Sequence, residues 1–592
     1  MPSWKDLISM NKSWSLSHLE QNHGFRTVAI GFIAFLACML EVNGYAQADS
    51  SSDNYLPHMG DRATIERAIN LERPSFEPPV DVTGISVPHH LLAADLIARG
   101  FWAASKGSYE RVILISPDHY RSVKGRFGVI NSDFKTIFGQ ARHDHEVVER
   151  LLMQPELFEP LRQPEREHGI QAVVPFIRFF FPSAEIIAVA AAVTTDPSDW
   201  IEVASALTPF LTKKTLVVQS TDYSHYLPLA EAIRRDRQTL AVLSTGNVDV
   251  VGSLTQPSHL DSKAAQAVQM HLQSHLGASQ ILVGNRNSAQ YTKIESSTTS
   301  YLVSVFLKDP NKGGVFRYAD QSVFYFGGDV LLGRFLAPMV AKESVAAEIV
   351  SEIMNHTQGA PLVVNLEGVL LPDPIVGLGS NTHQMLAKIA APILRRLNVV
   401  AAGLANNHSL DFGPAGLQET IEQLEIFGIK PLVHGSAVNM GMFRLVALNL
   451  LPGQLSNEPA GAGFSAASKL LCDLAADPPL VAFVHWGKEY TSVPTLNERA
   501  YGEALQQCGV SLIVGAHTHQ ASAQLETIGR GETQILFSLG NLIFDQIASI
   551  SSAALLEVRI FEQGTIAARL VKLPNIFETA KNAFHREPAS SR

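Results

Sequence analysis

Five short clusters in the second half of the chain carry oxygen and imidazole donors: Gly328-Asp329, Asn365-Leu366-Glu367-Gly368, Ala405-Asn406-Asn407-His408, His485-Trp486-Gly487 and Gly515-Ala516-His517-Thr518-His519. None of them contains a thiolate. Such donors suit borderline or hard divalent ions such as Mn, Fe, Zn or Mg, and a carboxylate shared by two ions lets the pair clamp both oxygens of an in-line displacement. Singly, each cluster has a plainer reading: Gly-Asp as a turn, Asn-Asn-His as a helix cap, His-Trp-Gly as a core or surface histidine. Together they read as one site, because each follows an apolar run and they recur in order.

The first half carries a second set: Pro88-His89-His90, Ser116-Pro117-Asp118-His119, Glu167-His168, Ser220-Thr221-Asp222-Tyr223-Ser224-His225 and Leu260-Asp261-Ser262-Lys263. Three of these follow apolar runs. Neutral imidazoles arriving from separate strand ends can converge on a metal, and a carboxylate completes a facial site suited to iron or copper. Alone, any one of these histidines reads as a satisfied core or surface residue.

Elements must hold these clusters in place. A chain of 592 residues exceeds what a single hydrophobic core supports, so two large domains are expected. Apolar runs at Arg111–Ser116, Glu185–Val189 and Leu216–Gln219 alternate with helix-like segments such as the one around Ala93–Ser105, an α/β pattern. Lys308-Asp-Pro-Asn-Lys-Gly-Gly314 interrupts both periodicities between strand-like Tyr301–Phe306 and Ser322–Phe326. Beyond it the runs Leu362–Val364, Val399–Gly403, Leu480–Val484, Leu512–Val514 and Ile535–Phe537 continue the mixed pattern, most of them ending directly in a polar cluster. Open α/β sheets place their chemistry at such strand ends. We therefore expect a leader over 1–48, a linker over 49–80, a first domain over 81–308, a linker over 309–315, a second domain over 316–575 and a tail over 576–592.

Composition narrows the function classes. A formal charge of −10 without a basic stripe gives no attraction for nucleic acid. Cys38, Cys472 and Cys508 form no CxxC and no zinc-knuckle spacing, so they support neither a disulfide framework nor a thiolate metal site. Near the N terminus Arg26 precedes an apolar run from Val28 to Leu40, followed by Ala46-Gln47-Ala48, which is the pattern of a secretory signal cleaved after Ala48. The run is short for a bilayer span. An uncleaved membrane anchor and lipidation at Cys38 are the alternatives. The expected location is the periplasm or cell surface, with membrane association through the leader.

Leu404-Ala-Asn-Asn-His-Ser-Leu-Asp-Phe-Gly413, Gly515-Ala-His-Thr-His519 and Phe537-Ser-Leu-Gly-Asn-Leu-Ile-Phe-Asp-Gln546 closely resemble motifs of the CapA family of poly-gamma-glutamate capsule proteins. The resemblance implies a calcineurin-like metallophosphoesterase fold, two mixed sheets flanked by helices with a metal pair between them. By position it implies Asp329, Glu367 and His519 on one ion and Glu367, Asn407, His485 and His517 on the other, with His408 as acid or oxyanion partner. Two departures stand out: Leu331 where an ordinary phosphoesterase has a histidine, and Glu367 where the bridging residue is usually aspartate. The first-half clusters jointly resemble the Memo family, also called AmmeMemoRadiSam system protein B, which is similar in fold to class III extradiol dioxygenases. That resemblance implies His89, His119 and Asp261 as ligands for iron or copper, Asp261 standing where many relatives have cysteine, with His168, Asp222 and His225 lining the same cleft. The expected function is synthesis, processing or cleavage of poly-gamma-glutamate or a related polyanionic envelope polymer by a metal-dependent hydrolase or transferase. The competing readings are a non-catalytic polymer-binding or tethering surface protein and a non-heme iron dioxygenase-like activity of the first domain.

Overall fold

In the strand Arg111–Pro117, Val112 and Leu114 point into one apolar core while Ile113 and Ile115 point into another. A strand apolar on both sides must be covered on both sides, and the first lobe is built that way. The computed structural model describes residues 60–375, 382–452, 472, 479–529 and 531–586; the leader reading lies outside the described residues. Its first lobe holds a nine-stranded sheet in which Val82–Val87, Thr215–Ser220, Arg111–Pro117 and Glu185–Ala191 run parallel side by side. Thr298–Leu307 and Ser279–Asn287 extend it as antiparallel strands beyond Val82–Val87. Arg62–Leu71, Ala94–Ala103 and Val174–Phe180 contribute core residues to one face. Pro197–Leu207, Leu229–Ser244 and Lys263–His275 contribute to the other.

The second lobe stacks two sheets. One runs Lys430–Leu432, Val399–Gly403, Leu362–Leu366, Gln321–Val330, Ala553–Phe561, Ile566–Leu573, with Asn541–Ile543 also paired to Gln321–Val330. The other runs Ala437–Asn439, Arg444–Asn449, Leu480–His485, Val510–Ala516, Thr533–Leu536, Glu526–Ile528. Phe326, Val363 and Ala401 from the first meet Leu445, Phe483 and Val514 from the second in a shared apolar layer. Helices Glu343–Thr357, Ala387–Arg396 and Ile576–Arg586 cover the outer face of the first sheet, and Leu496–Gln507 that of the second. The molecule is thus a two-domain α/β protein. Among the described residues no helix is long and apolar enough to cross a membrane.

Three connecting segments carry more structure than a linker or a tail implies. The linker over 49–80 contains the helix Arg62–Leu71, whose Asp61 side chain caps the Thr64 N–H and whose Ile65, Ala68 and Ile69 enter the first core. The linker over 309–315 is a 3₁₀ turn, Pro310–Val315, and Phe316 just beyond it is buried in the first lobe's core rather than the second's. The tail over 576–592 begins with the helix Ile576–Arg586, which buries Ile576, Phe577, Ala580 and Ala583 at helical spacing. A correction concerns cysteine: Cys472 and Cys508 form a disulfide across a separation of 36 residues. No local motif announces such a bond, because only folding brings those two positions together.

Candidate metal centres

In the second lobe the parallel pairing places Asp329 beside Asn365, and Asn365 beside Gly403, so the ends of three neighbouring strands open at one place. His485 ends its strand beside Ala516 in the facing sheet. This register, rather than sequence proximity, assembles the site. Two backbones must also come very close. A Cβ on Gly328 would stand 1.8 Å from the Gly540 carbonyl oxygen, and one on Gly515 would stand 1.8 Å from that of Phe537, so only glycine fits immediately before Asp329 and two residues before His517. His517 and His519 both adopt left-handed backbone, at φ 93° and 59°, a strained conformation of the kind that clusters at functional sites.

Donor atoms converge in overlapping groups. Asp329, Glu367 and His519 form one, Glu367, His485 and His517 a second, and Glu367, His383 and His408 a third, each with its atoms within 4.8 Å of one another. Glu367 belongs to all three. It is 1% exposed, and its Oε2 has no hydrogen-bond partner; the Nδ1 of His517 has none either. Asn407 Oδ1 stands 2.8 Å from His485 Nε2, bringing the amide oxygen to the second group. Asn365 Nδ2 donates to Asp329 Oδ1 at 2.7 Å, and His519 Nδ1 lies 2.7 Å from Asn541 Oδ1. Burial, then the neighbouring Asp329, pushes the Glu367 carboxyl well above the usual carboxylate range. Burial depresses His485 far below an ordinary imidazole, helped by His517. For His519 burial acts downwards but the Asp329 and Glu367 carboxylates outweigh it and raise it to about 9. Two adjacent buried carboxylates facing three imidazoles make an electrostatic demand that divalent cations would meet.

His408 sits at the rim of this cluster. Its Nδ1 is 3.0 Å from Asp411 Oδ2, its Nε2 is 4.0 Å from Glu367 Oε1, and its ring stacks on His383 with centroids 3.6 Å apart. His383 is in turn bracketed by the Glu367 carbonyl oxygen at Nδ1, 3.2 Å away, and by Arg334 Nη1 at Nε2, 2.9 Å away. Arg334 also pairs through Nε with Asp545 Oδ2 at 3.1 Å, leaving its side chain 30% exposed. Sequence reasoning missed Arg334, His383 and Asp411. The signal for Asp411 is its place three residues after His408, a spacing that lets a side chain reach back over one turn; His383, in a loop, and Arg334, at the start of the 3₁₀ helix Arg334–Leu336, carry no such cue.

The first lobe gathers its clusters in the same manner. His89, His119 and Asp222 follow three adjacent parallel strands, with Val87 registered against Ser220. His89, His119 and His168 form a donor group within 4.8 Å. Asp261 Oδ2 lies 3.3 Å from His89 Nε2 and 3.6 Å from His119 Nε2, so the carboxylate stands among the imidazoles while His168, expected only to line the cleft, supplies the third nitrogen of the group. Asp222 receives the His89 N–H at 3.0 Å, and its own N–H donates to Asp261 Oδ2 at 3.0 Å. Supporting contacts orient the rings: His89 Nδ1 is 3.0 Å from Ser220 Oγ, and His119 Nδ1 is 2.6 Å from Glu167 Oε1. Glu167 was named with His168 but not given this role. His119 Nε2, His168 Nδ1, His225 Nδ1 and Asp261 Oδ1 are all buried without a hydrogen-bond partner. Burial, reinforced by His119, holds His168 down at about 3, while for His119 burial is outweighed by Asp261 and Glu167, which lift it to about 10.

Comparison with known proteins agrees with this division. Residues 62–305 match the Memo-like protein family, and residues 323–437 and 466–546 match the bacterial capsule synthesis protein PGA_cap family. The PGA biosynthesis protein CapA of Bacillus subtilis is 25% identical over 264 residues, covering 40% of this chain and 68% of that protein. A MEMO1 family protein of Caldivirga maquilingensis is 26% identical over 182 residues, covering 29% of this chain and 63% of that protein. Among solved structures, one described as a novel phosphatase from Mycoplasma pneumoniae aligns over 46% of this chain and 98% of its own, at 14% identity and a TM-score of 0.29.

Proposed function

We propose that this chain, a Memo-like domain followed by a PGA_cap domain, is an exported protein for the synthesis or processing of poly-gamma-glutamate or a related capsule polymer, and that its second lobe is a metal-dependent hydrolase or transferase. One observation carries the reading: Glu367 is buried, belongs to overlapping donor groups, and leaves Oε2 without a partner. An unpartnered buried carboxylate is costly unless a cation meets it. Asp329, Glu367 and His519 would hold one divalent ion, and Glu367, Asn407, His485 and His517 a second, with Mn, Fe, Zn or Mg compatible with the donors. Bound ions would supply Lewis-acid polarisation of the scissile linkage and a lowered pKa for the attacking water.

The protein's own groups complete the chemistry. Asp411 holds the Nδ1–H of His408, so that in its doubly protonated form the ring would pass its Nε2 proton to the departing group of the substrate. Stacking on His383 fixes the plane of that ring. Arg334, steadied by Asp545 and His383, presents its remaining N–H groups to an anionic group of the substrate, in keeping with a polyanionic polymer. The disulfide between Cys472 and Cys508 supports export, since such bonds persist in oxidising compartments. A second reading concerns the first lobe, where three imidazoles with Asp261 suit iron or copper and a dioxygenase-like or purely binding role.

The test is elemental analysis of the purified full-length protein, paired with a screen of phosphoester and gamma-glutamyl substrates. Divalent metal that cannot be retained, together with no turnover of either class after metal addition, would favour a non-catalytic tethering protein instead.

A further inference from the structure

Two side chains of the second lobe reach the helix Leu229–Ser244 of the first, and from there hydrogen bonds lead to the strand Tyr223–Leu227, which follows Asp222 and carries His225. Gln563, in the turn between Ala553–Phe561 and Ile566–Leu573, donates through Nε2 to Asp236 Oδ2 at 3.1 Å. Asp236, on the helix Leu229–Ser244, is wholly buried and accepts the Ser224 hydroxyl on its other oxygen at 2.6 Å. Thr565 strengthens the contact by donating to Asn285 Oδ1 at 2.6 Å, and Asn285 itself donates to Asp236 at 3.3 Å. The second path begins at Glu532, whose Oε1 accepts from Gln238 Nε2 at 3.1 Å. Gln238 Oε1 faces His259 Nε2 at 2.8 Å, and because His259 Nδ1 already accepts the Thr255 N–H, the Nε2 must be the protonated donor. The His259 carbonyl then accepts the Ser224 N–H at 3.0 Å.

Both paths therefore hold Ser224, one by its side chain and one by its backbone. Ser224 needs holding: its φ is 35°, a left-handed value that a non-glycine residue keeps only when its surroundings impose it. It stands between Asp222 and His225 in the first lobe's cluster, and the Asp222 carbonyl accepts the Asp261 N–H at 3.0 Å. We propose that the second lobe is the positioning partner of the first lobe's metal site, with Gln563 and Glu532 acting through Asp236 and Gln238 on the strand segment at Ser224. Each member is a positioning residue and touches no reacting atom. The metal arm of the test rests on the ligand reading given above; the backbone arm does not.

The experiment compares the full chain with a Gln563→Leu, Glu532→Ala double variant by site-resolved hydrogen exchange. The Ser224 and His225 amides should exchange at least about tenfold faster in the variant, while amides in the strand Arg111–Pro117 stay protected. Glu532→Gln alone retains an acceptor for Gln238 and should keep most of the protection. In parallel, cobalt(II) is titrated in a Glu367→Gln background, so that the first lobe's site is read; the double variant should bind about tenfold more weakly, the usual cost of losing groups that orient metal ligands. Unchanged exchange at Ser224, or a uniform rise across the whole lobe, would overturn the proposal. Absence of cobalt binding in the parent would count against the ligand reading alone, and exchange at Ser224 would still decide the coupling.

Discussion

Exchanging Glu367 for glutamine should stabilise the metal-free protein and remove the second lobe's response to metal. The carboxylate is 1% exposed, its Oε2 lacks a partner, and Asp329 shares its surroundings, so its ionised form is disfavoured twice over. An unsatisfied buried polar group costs about 1–3 kcal/mol, and more when charged. The neutral amide lowers that cost, and for a lobe of this size each kcal/mol is worth about 2–4 °C in Tm. With metal present the order should reverse, because free ion at a hundred times its Kd adds about 2.7 kcal/mol to the native state and the variant has lost the donor common to both proposed ions. The assay is a pair of thermal melts on chelator-stripped protein, with and without added Mn, alongside metal content by elemental analysis. Equal Tm values for the two stripped proteins, or equal metal-induced shifts, would refute the assignment of Glu367 as the shared ligand.

Replacing His517 with alanine should lower metal content, whereas His408→Ala should keep metal and fold but lose about a hundredfold or more of any hydrolytic activity, and metal content on the same preparations separates the two roles. Glu557 gives a pH test away from both metal centres: burial raises its pKa, but Arg569 and Arg559 outweigh burial and hold it at about 2, against an ordinary 4.5. Between those values the unfolded chain binds the extra proton, so stability should fall as pH drops from 4.5 towards 2, and Glu557→Gln should flatten that slope in acid denaturation. At neutral pH the same change strands two guanidinium groups and should cost about 3–5 kcal/mol in denaturant melts. Protein isolated from cells should begin at Asp49 if the leader is cleaved after Ala48; an intact Met1 in a cytoplasmic fraction would contradict export.

The sequence by itself determined which residues could do chemistry and on what framework. Apolar runs such as Arg111–Ser116 and Leu480–Val484 carry their own strand signal, and the polar cluster at the end of each run is visible wherever the chain eventually goes. Local reading failed where a short signal lay inside a misleading composition: Arg62–Leu71 was submerged in a polar segment, and Ile576–Arg586 looked like an ending although Phe577 and Ala580 share a buried face. Only the tertiary structure decided which donors meet. Parallel strand register and the facing of the two sheets put Asp329, Glu367 and His519 together across nearly two hundred residues of chain, and the placement of the short helix His168–Gln171 brings His168 into the His89 and His119 group. It also decided the contacts that no local pattern encodes, namely His383 on His408, Cys472 with Cys508, and Gln563 on Asp236. The physical reason is range: strand and helix preferences act over a few residues, whereas pairing between distant side chains depends on sheet order and lobe docking, which are settled only when the whole apolar surface is buried at once.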